Sequence, residues 1–154
     1  MYQQIVVGTD GSAGANIAVD AAIELARLTG ATLHVVHAHK VIAGYQLAAA
    51  ADAGMVPIDV TESNNAIHAD GQHICDAAVE RAGKVGVRAE THCVSGDAVD
   101  ALISIATDSK ADLVVVGNRG MTGARRFVLG SVPNKVSHHC PTSLLVVDTT
   151  QARN

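Results

Sequence analysis

Short runs of consecutive apolar residues alternate along this chain with longer segments in which apolar residues recur every three or four positions. That alternation marks βαβ units feeding a parallel sheet. Residues 5–9 form the first apolar run, and Asp10-Gly11-Ser12 then offers turn and N-cap chemistry. Ile17, Ala21, Leu25 and Leu28 follow at helical spacing up to a stop at Gly30, predicting a first helix with that stripe inward. Residues 32–38 and 87–94 read as the second and third strands. Before the third strand, Ile67, Ile74, Ala77, Ala78 and Ala82 can line one side of a helix over 65–84. Asp97 caps a further helix in which Val99, Leu102, Ile103 and Ala106 stand at i, i+3, i+4 and i+7. Residues 112–117 form a fourth strand whose consecutive apolar side chains imply burial on both faces. Residues 131–139 read as a short helix, and 142–148, opened by Pro141, as a fifth strand.

The predicted fold class is therefore α/β: one doubly wound, five-stranded parallel sheet with helices on both faces, in strand order 3-2-1-4-5. The chain of 154 residues fits a single domain, 1–154, within which residues 40–64 carry no sustained period and read as a flexible insertion with one helical turn at most. Ligands of such sheets lie beyond the carboxyl ends of the strands at the switch in strand order, where Gly8 and Gly117 meet if strands one and four are neighbours.

Composition narrows the picture. The chain is 48% hydrophobic but only 2% aromatic, so its core is built from Val, Ala, Leu and Ile. A formal charge of −4 and a pI near 6.0 argue against broad nucleic-acid binding. Cys75, Cys93 and Cys140 are odd in number and lack C-x-x-C spacing, which suits a reducing compartment. The N-terminal apolar run, Ile5-Val6-Val7, is far too short for a signal or a membrane span, so no membrane association is expected and a cytoplasmic location is.

Candidate chemistry concentrates where an apolar run ends in paired glycines, Val114-Val115-Val116-Gly117-Asn118-Arg119-Gly120, and the chain re-enters a helix at Gly130-Ser131. Glycine lets the main chain approach an anion closely, and the N–H groups of a helix start supply donors and partial positive charge, so this is the layout of a phosphate cradle. Two familiar alternatives fail. Gly8-x-x-Gly11-x-x-Gly14 is not G-x-G-x-x-G, and His37, His39 and Lys40 stand where an acid for a ribose hydroxyl is wanted. No Gly-Lys pair precedes Ser or Thr, so there is no P-loop.

The pattern Gly117-x2-Gly120-x9-Gly130-Ser131 resembles the universal stress protein family, ATP-binding branch. Val6-Val7-Gly8-Thr9-Asp10-Gly11-Ser12, Asp112-Leu113-Val114-Val115-Val116-Gly117 and Pro141-Thr142-Ser143-Leu144-Leu145-Val146-Val147 extend the resemblance over nearly the whole chain outside 40–64. It implies a site in which Asp10 sits near ribose or adenine with Gly8 and Thr9 beside it, and Ala38 and Val116 wall the adenine. Gly117, Arg119 and Gly120 then wrap phosphate or ribose, and Gly130, Ser131 and Val132 hold phosphate oxygens at the helix start. The implied ligand is ATP, or ADP, AMP or cyclic AMP, with Mg²⁺ among the phosphates. Pro133 occupies the first helical turn where relatives often offer a hydroxyl. A homodimer paired through strand 142–148 is also implied.

Plainer readings stand beside these. Gly11 and Gly30 serve tight turns; Asp10 can be a turn residue as well as a ligand contact; Arg125 and Arg126 can be a solvated loop face or phosphate contacts. The eight histidines raise the question of a metal, but none is expected: His138 and His139 do not share a helix face, and no acid or cysteine lies at clear ligand spacing in sequence. The expected function is a nucleotide-dependent sensor or switch in stress response. A slow ATP hydrolase and a ligand-free dimeric interaction module are the alternatives, with no catalytic residue evident.

Overall fold

The computed structural model describes residues 1–44, 49, 52–54, 60–118 and 129–150. The strands are β1 (Gln4–Gly8), β2 (Thr32–His39), β3 (Ala89–Ser95), β4 (Leu113–Gly117) and β5 (Ser143–Val147). They form one sheet in the order β3-β2-β1-β4-β5, with every neighbouring pair parallel. The expected topology and strand order hold. β1 is the middle strand, registered with Ile5 beside both Leu33 and Leu113.

Alternation along the strands sorts side chains into two cores. Ile5, Val7, Leu33, Val35 and Val115 pack on one face under α1 (Ala13–Thr29) and α2 (Val60–Lys84). Val6, Val36, Val114 and Val116 pack on the other under α3 (Ala98–Asp108) and α4 (Ser131–His139). Because both faces are covered, β1 and β4 read as unbroken apolar runs, and each buried Val or Ile contributes about 1.5–3 kcal/mol relative to exposure.

Two helices turn different faces to the sheet from those the apolar spacing suggests. α1 is capped by Ser12, whose Oγ accepts from the Ala15 N–H at 3.1 Å, and ends at Gly30 in the left-handed region at φ 75°. Its buried face is Ala15, Ala18, Val19, Ala22, Ile23 and Ala26. Ile17, Ala21 and Leu25 lie only half-buried, and Leu28 is 64% exposed. Small alanines bring the helix axis close to the sheet, and the bulkier stripe is left at the margin. α2 likewise buries Gly71, Cys75, Ala78 and Ala82, while Ile67 and Ile74 are half-buried and Ala77 is exposed.

α2 also starts at Val60, inside the stretch expected to be an insertion. Asn64 in its first turns clamps the preceding chain: its Oδ1 accepts from the Ile42 N–H at 2.8 Å, and its Nδ2 donates to the Ile42 carbonyl at 3.1 Å. Residues 45–48, 50–51 and 55–59 of that stretch lie outside the described residues. α3 agrees with its expected cap, since the Asp97 carboxylate accepts from Val99 and Asp100 N–H groups, and it buries Val99, Ala101, Leu102 and Ala106. Ile103, expected inward, is half-buried.

Candidate nucleotide site

Strand order reverses at the β1–β4 pair, so the loops leaving the two strands part and open a cleft at their carboxyl ends. Gly8, Thr9, Asp10, Ala38, Val116, Gly117 and Val132, all candidates from sequence, line one cavity there. Ala15, Val36, Ala98 and Leu102 complete its walls and were not singled out as site residues, and Pro133, noted in sequence for its place in the first helical turn, lines it as well. Leu102 carried a signal, its place in the α3 stripe, but that stripe reads equally well as plain core. The cavity is apolar along Val36, Ala38, Leu102 and Val116 and polar at Thr9 and Asp10, the usual character of a site for a flat heteroaromatic ring with a polar tail.

Local backbone chemistry sets the rim. Thr9 continues the β1 ladder by donating its N–H to the Val36 carbonyl at 2.9 Å, and its Oγ1 accepts from the Gly11 N–H at 3.2 Å. Asp10 Oδ1 accepts from the Ser12 N–H at 2.9 Å, so the turn reading of Asp10 holds, with the residue also lining the cleft. Gly11 turns the chain at φ 76°. Gly8 is extended and packs closely: a Cβ there would stand 3.2 Å from Leu102 Cδ2, so the leucine side chain would have to give by a few tenths of an ångström.

On the far side, Gly130 is the N-cap of α4 and provides no side-chain cap. Asn134 makes the first helical bond, to the Gly130 carbonyl at 3.1 Å; the Ser131 and Val132 N–H groups precede it, at the positive end of the helix dipole. Pro133 has no N–H to offer, and it is buried as part of the wall. Arg119 and Gly120, with Arg125 and Arg126, lie outside the described residues.

Asn118 was passed over in sequence, yet it joins the cradle together. Its carbonyl accepts from the Gly130 N–H at 2.9 Å, its N–H donates to the Val147 carbonyl at 2.8 Å, and its Oδ1 accepts from the Thr149 N–H and hydroxyl at 3.0 and 2.6 Å. β4, β5 and the entry to α4 are thereby held by one residue. His37 does the same at the end of β1, where its Nδ1–H donates to the Thr9 carbonyl at 2.9 Å.

The histidines gather in a way that their spacing along the chain does not show. No acid or cysteine lies at clear ligand spacing in sequence, but the β2–β3 register sets Glu90 beside His34 and Cys93 beside His37. Among the described residues, two groups have ligand atoms within 4.8 Å of one another: His39, His68 and Cys93, and His34, Glu90 and His92. Burial pushes the Cys75 thiol, under α2, up to about 11. His138 and His139 lie exposed in the last turn of α4, where a helix dipole favours cations. No described helix is long and apolar enough to cross a membrane.

Comparison with known proteins agrees with this geometry. The sequence profile described as the universal stress protein family matches residues 1–148. The chain is 32% identical to the universal stress protein YxiE of Bacillus subtilis, over 96% of its own length and 99% of the relative's. It is 35% identical to the universal stress protein Rv1636 of Mycobacterium tuberculosis, over 97% and 98%. A crystal structure of a universal stress protein in complex with cAMP superimposes with a TM-score of 0.68 at 33% identity, covering 97% of this chain and 98% of the other. With the shared five-stranded sheet and nearly end-to-end alignment, the chain belongs to the universal stress protein family.

Proposed function

We propose that the cleft binds an adenine nucleotide and that the protein works as a nucleotide-dependent sensor or switch in stress response. The observation that carries this reading is a cavity in which an apolar slot meets Val132 and Pro133 of the first turn of α4, whose N-cap Gly130 offers no side-chain cap; Gly130 and Ser131 stand next to that lining in the chain and not in it. The slot between Ala38 and Val116 takes the base, Asp10 faces the ribose, and the Ser131 and Val132 N–H groups meet phosphate. Arg119 and Gly120 complete the cradle in this reading. A 33% identical relative in complex with cAMP supports the ligand class. ATP is the nucleotide proposed first, with ADP, AMP and cyclic AMP as alternatives.

Asp10 is the one carboxylate among the described lining residues, and one of its oxygens is engaged by the Ser12 N–H. Mg²⁺ therefore fits only as an ion held chiefly by phosphate oxygens and water. The same shortage of a positioned base beside a terminal phosphate favours holding the nucleotide over cleaving it. β5 is an edge strand whose Leu144, Leu145, Val146 and Val147 are half-buried, and antiparallel pairing of two copies along it would cover both edges. The three free cysteines support a reducing, cytoplasmic setting.

The test is extraction of the purified protein by heat, identification of any released nucleotide by mass, and titration with ATP, ADP, AMP and cyclic AMP with and without Mg²⁺. Gly117→Val and Gly130→Val are expected to fold and to lose binding. Binding that survives in both variants, or no binding by the parent protein, overturns the reading. Phosphate release faster than about 1 s⁻¹ would make it an enzyme.

A further inference from the structure

A second set of donor groups lies behind the adenine wall, at the carboxyl ends of β2 and β3, and the nucleotide cleft does not use it. Alternation along β2 turns His37 and His39 toward α2. The parallel register with β3 places Cys93 beside His37 on that same face. α2 brings His68 down onto them: His39 Nε2 and His68 Nδ1 stand 3.0 Å apart, and the Cys93 thiol donates to the His68 carbonyl at 3.5 Å.

This approach depends on a glycine. Gly71, one turn along α2 from His68, is buried in a 25-residue helix, where glycine costs about 1 kcal/mol relative to alanine. A Cβ there would lie 2.5 Å from His37 Cδ2 and 2.8 Å from Cys93 Sγ. The missing side chain lets the helix close over the imidazoles and the thiol.

We propose that His39, His68 and Cys93 form a binding site for a Zn²⁺-class divalent metal ion, held by two imidazole nitrogens and one thiolate with the fourth position open to solvent. The donor set is two nitrogens and one sulfur, with no carboxylate, which suits borderline-soft ions and not Mg²⁺ or Ca²⁺. In a tetrahedral site with Zn–N near 2.0–2.1 Å, two nitrogens stand about 3.3 Å apart and a nitrogen and a sulfur about 3.5 Å. The 3.0 Å His39–His68 separation is within a few tenths of that, and the whole set already lies within 4.8 Å.

Burial is graded as entry requires, with His39 buried, Cys93 half-buried and His68 exposed. His39 is 8% exposed and packs against the rings of His68 and His37, with centroids 5.2 and 6.4 Å away, and its Nδ1 has no hydrogen-bond partner among the described residues. Binding would replace the S–H bond of Cys93 by S–Zn and release one proton to solvent. The other group is differently built: both His34 nitrogens are engaged, by His92 at 3.1 Å and by Gln4 at 2.8 Å. It serves as an internal control.

The experiment uses the full chain, freed of nucleotide and metal under reducing conditions, so its outcome does not depend on the nucleotide reading. Zn²⁺ is titrated calorimetrically against a competing chelator, and Co²⁺ is followed by absorption. The expected result is one Zn²⁺ per chain and a thiolate-to-cobalt charge-transfer band. Cys93→Ser should abolish the band, and His68→Ala, at an exposed position, should weaken Zn²⁺ binding by at least about tenfold, while His92→Ala leaves both unchanged. Circular dichroism verifies that each variant folds. Absence of stoichiometric Zn²⁺, a band that survives Cys93→Ser, or loss in His92→Ala but not in His68→Ala overturns the site.

Discussion

His37 donates its Nδ1–H to the main-chain carbonyl of Thr9 at 2.9 Å, so a side chain on β2 holds the backbone that leaves β1 and enters the cleft. Thr9 is 8% exposed, and water cannot readily replace that donor. His37→Ala is expected to cost about 1–3 kcal/mol in urea unfolding, the penalty of stranding a buried acceptor. It should also weaken adenine-nucleotide binding in calorimetry, because the Thr9–Asp10 turn loses one of its anchors. Unchanged affinity would mean that the Thr9 N–H bond to Val36 fixes the turn alone.

Asn118 is the corresponding tie at the end of β4. Its Oδ1 accepts two hydrogen bonds from Thr149, which is 5% exposed, and its Nδ2 donates to Asp148 at 3.0 Å. Asn118→Ala removes these partners together and is expected to destabilise the fold by about 2–3 kcal/mol. Asn118→Asp keeps the acceptor for Thr149 but loses the donor and adds a charge facing Asp148. Its expected loss is smaller, and thermal unfolding of both variants checks the order.

Gly71→Ala sets two effects against each other. Helix propensity favours alanine by about 1 kcal/mol. The new Cβ, however, would meet His37 Cδ2 at 2.5 Å and Cys93 Sγ at 2.8 Å, and overpacking of this kind costs about 1–3 kcal/mol. The balance is expected to be a net loss in urea unfolding. A stabilised variant would show that α2 can lift from the sheet without penalty.

His34 gives the fold a dependence on pH. Burial holds its imidazole below the ordinary value of 6.5, with Glu90 pulling it up and His92 pushing it down; Gln4 is its other partner. The folded state thus favours neutral His34. The stability this supplies is present above pH 6.5 and is lost as pH falls below it toward the lowered value. Urea midpoints between about pH 7.5 and pH 5 should decline on acidification, and His34→Gln, which does not titrate, should flatten the decline.

The strands were legible because β1 and β4 are buried on both faces and leave unbroken apolar runs, Ile5 to Val7 and Leu113 to Val116; such runs do not encode which strands are neighbours. The starts of α1 and α3 were legible from Ser12 and Asp97, whose capping is local chemistry. Helix faces were less so. Apolar spacing favours large residues, whereas α1 and α2 approach the sheet through alanine, Gly71 and Cys75, which reward close approach more than bulk. The start of α2 rests on the Asn64–Ile42 clamp across 22 residues, and no periodicity signals such a contact. Seven cleft residues could be named from the family resemblance that the glycines and strand ends carry, but Asn118 and Leu102 act through partners distant in the chain. Cys93 joins His39 and His68 only through strand register, which spacing along one segment does not encode.

The central position of β1 bears on how the molecule is made. One edge of β1 pairs with β2 soon after it in the chain, but the other waits for β4, and Gln4 bonds to Asp112 across 108 residues. At a translation rate of about 5–20 residues per second, that edge stays open for about 5–20 s during synthesis. A nascent chain over that interval carries an apolar strand with unsatisfied backbone groups, the form most apt to pair with the wrong neighbour. Since Gly8 and Gly117 come together only when β4 docks, the cleft does not exist in a growing chain that stops short of Leu113, and the nucleotide proposed for it could not protect the chain until that strand is in place.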